Sequence, residues 1–82
     1  MSARAHDLRY HEFFQRLKPF GVVEDPNRGK GGERCLVKPT IPGTFKGPFS
    51  TIRCHGTGDT IKTGTIGGTL RRLQISPKEF WG

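Results

Sequence analysis

The chain has 82 residues, enough for one small domain. A domain of this size buries only about 60% of the surface that its unfolded chain exposes, so a deep, fully enclosed active site is not expected. Fourteen Lys and Arg residues against seven Asp and Glu residues give a net charge of +7. This excess predicts attraction to polyanions, with nucleic acid as the first candidate, whereas the alternative interpretation is a basic surface that serves only solubility.

The sequence lacks the features of secreted, membrane and disulfide-stabilised proteins. No stretch approaches the roughly 20 apolar residues of a membrane helix, and the N-terminus has no apolar run of signal-peptide length. Cys35 and Cys54 are too few for a disulfide scaffold and lack the spacing of a zinc site. We therefore expect a cytoplasmic protein with reduced, buried cysteines and with no bound metal or other cofactor.

The first part of the chain predicts a helix followed by a strand. Asp7 is a suitable N-cap for a helix over residues 8–18. The apolar face of this helix repeats at helical spacing and consists of Tyr10, Phe13, Phe14 and Leu17. A proline and a glycine end the helix, and Val22–Val23 follows as a short strand. Residues 1–7 are expected to be flexible.

A glycine-rich loop carries much of the positive charge. The sequence RGKGGERCLVK, residues 28–38, begins as a loop and ends in a second strand that includes Cys35–Val37. Residues 26–53 contain six basic residues and one acidic residue, Glu33, so this third of the chain carries a charge of +5. Glycines let the backbone approach a ligand closely, and the interleaved cations favour an anion. The loop therefore predicts an anion-binding surface.

A proline-rich loop and a third strand follow. The stretch PTIPGTFKGPFS holds three prolines and two glycines, which argues against a regular strand inside a sheet and predicts an extended hairpin loop. Residues 49–54 alternate apolar and polar side chains well enough for a strand, with Phe49 and Arg53 on one side. The turn-rich stretch HGTGDTIKTG leads from this strand to the next helix.

The second predicted helix contains an unusual pair of glycines. Thr63 or Thr65 is a suitable N-cap, and apolar residues at positions 66, 70 and 73 form one face. Gly67 and Gly68 each cost such a helix about 1 kcal/mol relative to alanine. Glycines of this kind often mark the close approach of another backbone. We therefore expect either the sheet or a partner protein to pack closely against them.

A final helical turn completes the predicted fold. Ser76 and Pro77 are typical of a helix start, and Phe80 and Trp81 are expected to cover the open end of the core. The order of helix, three strands and helix predicts an α+β fold, in which a small antiparallel three-stranded sheet packs on two helices. Residues 1–82 are expected to form a single domain.

Three stretches of the chain form an ordered pattern that extends over residues 10–81. They are the aromatic first helix followed by FGVVE, the run RGKGGERCLVKP, and the segment HGTGDTIKTGTIGGTLRRLQISPKEF. This pattern resembles the HicA family of bacterial toxins, small ribonucleases with a fold related to the double-stranded-RNA-binding domain. The last segment is the most specific part, because it combines Gly-Thr and an apolar residue with Leu-Arg-Arg-Leu and a Ser-Pro-acidic-Phe ending.

The resemblance implies an α-β-β-β-α domain that acts as the toxin of a toxin–antitoxin system. Such a toxin is an endoribonuclease that cleaves mRNA without a metal and arrests growth until a HicB-like antitoxin neutralises it. The ribose 2′-hydroxyl loses a proton to a base and attacks the adjacent phosphate. The family's catalytic histidine falls at Glu33, and the serine before it falls at Gly32. Either another group is the base, or this chain is not a nuclease.

Two residues are candidates for the catalytic base. Glu33 occupies the matching position, but the adjacent Arg34 is expected to make its carboxylate a weaker base. His55 follows the third strand, and it is expected to approach the same loop if the second and third strands are neighbours. Charge alone suffices for contacts to RNA phosphates. The residues expected to make such contacts are Lys30, Arg34, Arg28, Lys38 and Arg53.

Two other functions fit the same composition. The first is a non-catalytic RNA-binding module on the same fold. The second is a protein-interaction domain whose charge of +7 only keeps it soluble. Salt-sensitive RNA binding would exclude the interaction domain. RNA cleavage without added metal would then distinguish the nuclease from the binding module.

Overall fold

The computed structural model describes residues 4–29 and 31–82, which form three α-helices and five short strands. The helices are α1 (Tyr10–Leu17), α2 (Thr63–Arg72) and α3 (Pro77–Trp81), and a 3₁₀ turn (Lys18–Phe20) follows α1. The strands are β1 (Leu8–Arg9), β2 (Val23–Asp25), β3 (Glu33–Val37), β4 (Phe49–Arg53) and β5 (Thr60–Ile61). The predicted order of a helix, three strands and a helix is present, together with a short β1–β5 pair that the sequence did not predict.

β2, β3 and β4 form one antiparallel sheet with β3 in the centre. The register places Glu33 opposite Arg53 and Leu36 opposite Ser50. Directly opposite residues share a face of the sheet, and successive residues alternate between faces. Glu33 and Arg53 therefore lie on one face, and Leu36 lies on the other. The structure confirms the α+β class with its three-stranded antiparallel sheet.

The helices cover one face of this sheet. Leu36 and Ile52 of the sheet belong to the same buried cluster as the apolar residues of α1 and α2. The faces predicted for the two helices are largely buried as expected, and Phe14 packs on the cluster as a half-buried residue. Full burial of a large apolar side chain contributes about 1.5–3 kcal/mol, so this cluster dominates the stability of the fold. We call the opposite side of the sheet its outer face.

The final helical turn was predicted correctly. Ser76 is the N-cap of α3, and its Oγ accepts a hydrogen bond from the Glu79 N–H at 3.4 Å. Phe80 is buried and stacks edge-on against Phe13 of α1, with ring centroids 5.7 Å apart. The last turn therefore covers one end of the core, as the two aromatic residues indicated.

Asp7 contacts the start of a different helix from the predicted one, α2, whose N-cap is Lys62 and not the predicted Thr63 or Thr65. α1 begins at Tyr10, and its N-cap is Arg9. Asp7 Oδ1 instead accepts hydrogen bonds from the N–H and the Oγ1–H of Thr63, at 2.8 and 2.7 Å. These bonds lower the pKa of Asp7 from its ordinary value. The prediction failed because the carboxylate reaches the first turn of α2, which is distant in sequence.

The segment before α1 contacts the folded body at several points. β1 pairs with β5, with Leu8 opposite Ile61, and this pairing brings Asp7 to the start of α2. The ring of His6 lies 5.1 Å from that of Trp81. Residues 6 and 7 of the stretch expected to be flexible therefore make defined contacts.

Gly67 and Gly68 are not in close contact with the sheet. A Cβ added to either residue would meet no atom within 4 Å among the described residues. The expectation that the sheet backbone packs closely on these glycines is therefore wrong. Their cost to α2, about 1 kcal/mol each, remains without compensation from such a contact.

Candidate functional site

The imidazole of His55 lies directly on the backbone of Gly32. A Cβ added to Gly32 would be 2.3 Å from His55 Cε1 and 2.6 Å from His55 Nδ1, which is closer than real atoms approach. Two hydrogen bonds hold this region: the Cys54 N–H donates to the Gly32 carbonyl, and the His55 N–H donates to Asp59 Oδ2 at 2.8 Å. Position 32 therefore requires glycine for the ring to occupy this place.

His55 and Glu33 line the same cleft, which has a volume of about 270 Å³. It lies between the glycine-rich loop and the end of β4. This volume is slightly below the usual range for a small-molecule pocket. The cleft thus brings the two candidate bases together with Arg34. The full lining consists of Glu24, Asp25, Pro26, Gly29, Gly31, Glu33, Arg34, Cys54 and His55.

The side chains of Glu33 and Arg34 belong to opposite faces of the sheet because they are successive residues of β3. Glu33 is exposed, and the residue opposite it on β4 is Arg53. Arg34 is directed to the helix side, where its Nη1 donates to both carboxylate oxygens of Glu24 at 3.2 and 3.4 Å. The prediction that the neighbouring Arg34 weakens Glu33 as a base is therefore not supported by their orientation.

Arg34 is held in place by Tyr10 as well as by Glu24. Its guanidinium lies 4.8 Å from the centroid of the Tyr10 ring, and the Tyr10 hydroxyl donates to Glu24 Oε1. Burial and this hydrogen bond raise the pKa of Tyr10, so its phenol remains protonated at neutral pH. The hydrogen bond to Glu24 raises the pKa of Arg34. Arg34 is therefore held in a fixed position beside the cleft, with its charge paired to Glu24.

Sequence reasoning did not select Tyr10 or Glu24 as site residues. Tyr10 matched the apolar stripe of the first helix, and it is indeed buried there. Its contact with Glu24 depends on how α1 docks beside β2, which no local pattern encodes. The only local sign was a carboxylate directly after the apolar pair Val22–Val23.

Two of the predicted RNA-binding residues lie on the outer face of the sheet. Arg53 is exposed there, and the Arg28 guanidinium lies 4.9 Å from the centroid of the Phe49 ring. Arg28 also forms an ion pair with the buried Asp25, with Nε and Oδ2 3.2 Å apart. This pair compensates the burial of the carboxylate, so Arg28 has a structural contact in addition to any contact with a ligand.

The other predicted RNA-binding residues are dispersed. Arg34 lines the cleft. Lys38 follows β3 at the end remote from Glu33, where its N–H donates to the Pro48 carbonyl at 2.9 Å. Lys30 lies outside the described residues. The structure therefore places only part of the predicted basic set at the cleft.

Neither a metal-binding cluster nor a membrane helix is found within residues 4–29 and 31–82. No group of three or more His, Cys, Asp and Glu side chains in these ranges is arranged to hold a metal ion. No helix in the same ranges is long and apolar enough to cross a membrane.

Comparison with known proteins identifies no relative. No protein-family model, no curated protein and no solved structure matches the chain. The case for a function therefore depends on the geometry of the cleft and on the sequence pattern described above.

Proposed function

We propose that this chain is a HicA-like toxin, a metal-independent endoribonuclease that cleaves mRNA with His55 as the general base. The observation that carries the proposal is the contact between His55 and Gly32, beside the position that the HicA pattern gives to its own histidine. The imidazole occupies the space that a side chain at position 32 would fill. A histidine that follows β4 thus lies next to Glu33. Its position also explains why residue 32 is glycine, since any larger side chain there would clash with the ring.

The proposed reaction is an internal transfer of the phosphodiester. His55 accepts the proton of the ribose 2′-hydroxyl while the O2′–P bond forms. The P–O5′ bond then breaks, and solvent water protonates the departing O5′ atom. The products are a 2′,3′-cyclic phosphate and a 5′-hydroxyl end. The guanidinium of Arg34, which Glu24 and Tyr10 hold in place, lines the cleft and donates hydrogen bonds to the phosphate as negative charge develops on it.

His55 suits the role of base better than Glu33. A general base is most effective when its pKa lies near the working pH. An ordinary imidazole titrates near about 6.5 and an ordinary glutamate near about 4.3, so the imidazole is better matched to neutral pH. Glu33 is exposed at the start of β3, opposite Arg53.

The same function implies a double-stranded-RNA-binding-domain-like fold and an antitoxin partner. One helix, three antiparallel strands and a second helix form the order that a double-stranded-RNA-binding-domain-like fold requires, and α1, β2–β4 and α2 follow it. A toxin of this kind needs an inhibitor, and an acidic or occluding protein silences a basic RNA-binding surface most directly. We assign this role to a HicB-like antitoxin.

RNA cleavage in the presence of a metal chelator tests the proposal. Purified protein is incubated with end-labelled RNA and EDTA, and mass spectrometry identifies the new ends. We expect cyclic phosphate ends from the wild type and from His11→Ala, because His11 is an exposed histidine of α1 outside the cleft. We expect no cleavage from His55→Ala. Cleavage that requires a metal, or that survives His55→Ala, would refute the mechanism.

A second candidate function is RNA binding without cleavage. Phe49 and Phe45 are 51% and 39% exposed, and Arg28 and Arg53 lie near them on the outer face. Exposed aromatic rings beside cations favour stacking of single-stranded bases. Salt-sensitive RNA binding that Phe49→Ala and Phe45→Ala weaken, in a protein without measurable cleavage, would support this function over the first.

A further inference from the structure

β4 is an edge strand with one row of backbone groups facing away from the sheet. β3 is its only strand neighbour within the described part of the chain. The Cys54 N–H bonds to Gly32, on the side of β3. Because the direction of backbone groups alternates along a strand, the N–H and C=O groups of Thr51 and Arg53 point away from β3. Such a row is a template for a further strand.

α2 runs beside this free edge and forms the second wall of a groove with a volume of about 170 Å³. The helix residues of the groove are spaced as i, i+3, i+4 and i+7, so they share one side of α2. The lining consists of Ser50, Thr51, Ile52, Thr65, Gly68, Thr69 and Arg72. The groove therefore lies between the edge of a strand and a helix. An extended peptide fits a groove of this shape.

Two residues with hydroxyl groups line the groove. Ser50 and Thr69 are 3% and 2% exposed, and both line the groove. Such hydroxyls offer hydrogen-bond donors and acceptors to the backbone of a peptide in the groove.

The basic residues and the open space of the groove indicate which ligand it binds. The exposed Arg72 lines the groove, Arg53 lies at the end of β4, and neither forms an ion pair among the described residues. These cations favour an acidic segment, and the net charge of +7 disfavours a second copy of this chain. Gly68 leaves the groove open down to the helix backbone, because a Cβ there would meet no atom within 4 Å.

We propose that an extended, acidic segment of a partner protein binds between β4 and α2 and adds a strand to the edge of the sheet. Its backbone pairs with the outward groups of Thr51 and Arg53. Its carboxylates contact Arg72 and Arg53. This surface is separate from the cleft, and the proposal does not depend on ribonuclease activity.

Selection from a peptide library tests the proposal. A phage-displayed library of random peptides, roughly nine residues long to match a strand, is selected against the full chain. We expect acidic peptides with alternating apolar residues to be enriched. The selected peptides are synthesised, and their affinity is measured for two matched pairs of variants.

The matched pairs separate the groove from the rest of α2. Arg72→Glu and Arg71→Glu change the net charge equally, but only Arg72 lines the groove. Gly68→Leu and Gly67→Leu replace equally open helix glycines, but only Gly68 lines it. We expect Arg72→Glu and Gly68→Leu to weaken binding about tenfold or more, and the other two variants to bind nearly as the wild type does.

Amide hydrogen exchange distinguishes strand addition from other modes of binding. The bound peptide should slow exchange at the N–H groups of Thr51 and Arg53 about tenfold or more, with little change at Ile52, which already faces β3. Enrichment of peptides without an acidic excess, equal effects within either matched pair, or unchanged exchange at Thr51 and Arg53 would overturn the proposal. Formation of a dimer through β4 in sedimentation experiments would also overturn it, in favour of a second copy.

Discussion

The cleft at the start of β3 and the groove along β4 both use arginine, but in opposite ways. At the cleft, Arg34 is paired with Glu24 and packed on Tyr10, so its position is fixed before any ligand arrives. In the groove, Arg72 is exposed and forms no ion pair with another described residue. The ion pair neutralises the charge of Arg34 but fixes its position. The charge of Arg72 is unpaired within the described part of the chain and can contact a ligand.

This difference suits two different tasks. Chemistry on a phosphate gains most from groups that need no reorganisation in the transition state. Capture of a charged partner gains most from unpaired charges, which raise the rate of association and the specificity. We therefore expect variants of the cleft to affect cleavage, and variants of the groove to affect peptide binding only.

The largest expected effect comes from His55→Ala. Removal of a general base typically lowers a rate by about 10² to 10⁴, so RNA cleavage should fall by this factor while RNA affinity changes little. Glu33→Ala should lower cleavage less. Arg72→Glu should leave the cleavage rate close to that of the wild type. An equal loss in His55→Ala and Arg72→Glu would show that the cleft and the groove are not separate sites.

A smaller effect is expected from Gly32→Ala. The added Cβ would lie 2.3 Å from the imidazole, so the ring must move away from its place. Displacement of a catalytic group by about 1 Å can cost about 10² in rate, which sets the expected loss of cleavage. Gly56→Ala is the control, because a Cβ at this neighbouring position meets no atom within 4 Å. Similar rates for the two variants would argue against the assigned place of the ring.

Loss of the fixed arginine should lower stability as well as activity. Arg34→Ala leaves Glu24 with one partner fewer, and we expect a decrease of about 1–2 kcal/mol in the free energy of unfolding because both side chains are partly exposed. Urea denaturation measures this change. In a double-mutant cycle with Glu24→Gln, the two effects should be less than additive. Full additivity would mean that the pair does not fix Arg34.

The smallest expected effect is that of Asp7→Ala, which removes two hydrogen bonds at the first residue of α2 and so weakens one wall of the groove. The pKa of Asp7 is lowered in the folded protein, so its contribution to stability is present above the ordinary aspartate value of 3.8 and is lost as the pH falls through the lowered pKa. Thermal unfolding should therefore show a lower midpoint for Asp7→Ala near neutral pH. The difference from the wild type should disappear in strong acid, and a difference that persists there would refute the role of the Asp7 carboxylate at the start of α2.

Patterns of short range predicted most of the fold. The helical spacing of Tyr10, Phe13 and Leu17, the alternation in β4, and the Ser76–Pro77 start of α3 are local signals, and each corresponds to an element in the structure. The β1–β5 pair escaped prediction because two-residue strands leave too short a pattern. Asp7 was assigned to the nearer helix because its true partner, Thr63, is brought to it by that pair.

The candidate sites were less predictable because they depend on contacts across the sheet. His55 was selected for its chemistry, but its contact with Gly32 follows from the register of β3 and β4. Glu24 was missed because its partners are Tyr10 and Arg34, which lie on other elements. The groove beside Gly68 appears only when α2 and β4 are placed side by side. The sequence shows the pair Gly67–Gly68, but it does not show which element or partner lies beside it.

The contact between Gly32 and His55 also restricts the order in which mutations can build this cleft. A chain with serine at position 32 has no room for an imidazole in the place that His55 occupies. A chain can therefore gain a side chain at position 32 only if the ring at position 55 moves or is replaced at the same time. The two positions are thus coupled, because a change at one limits what the other can accept.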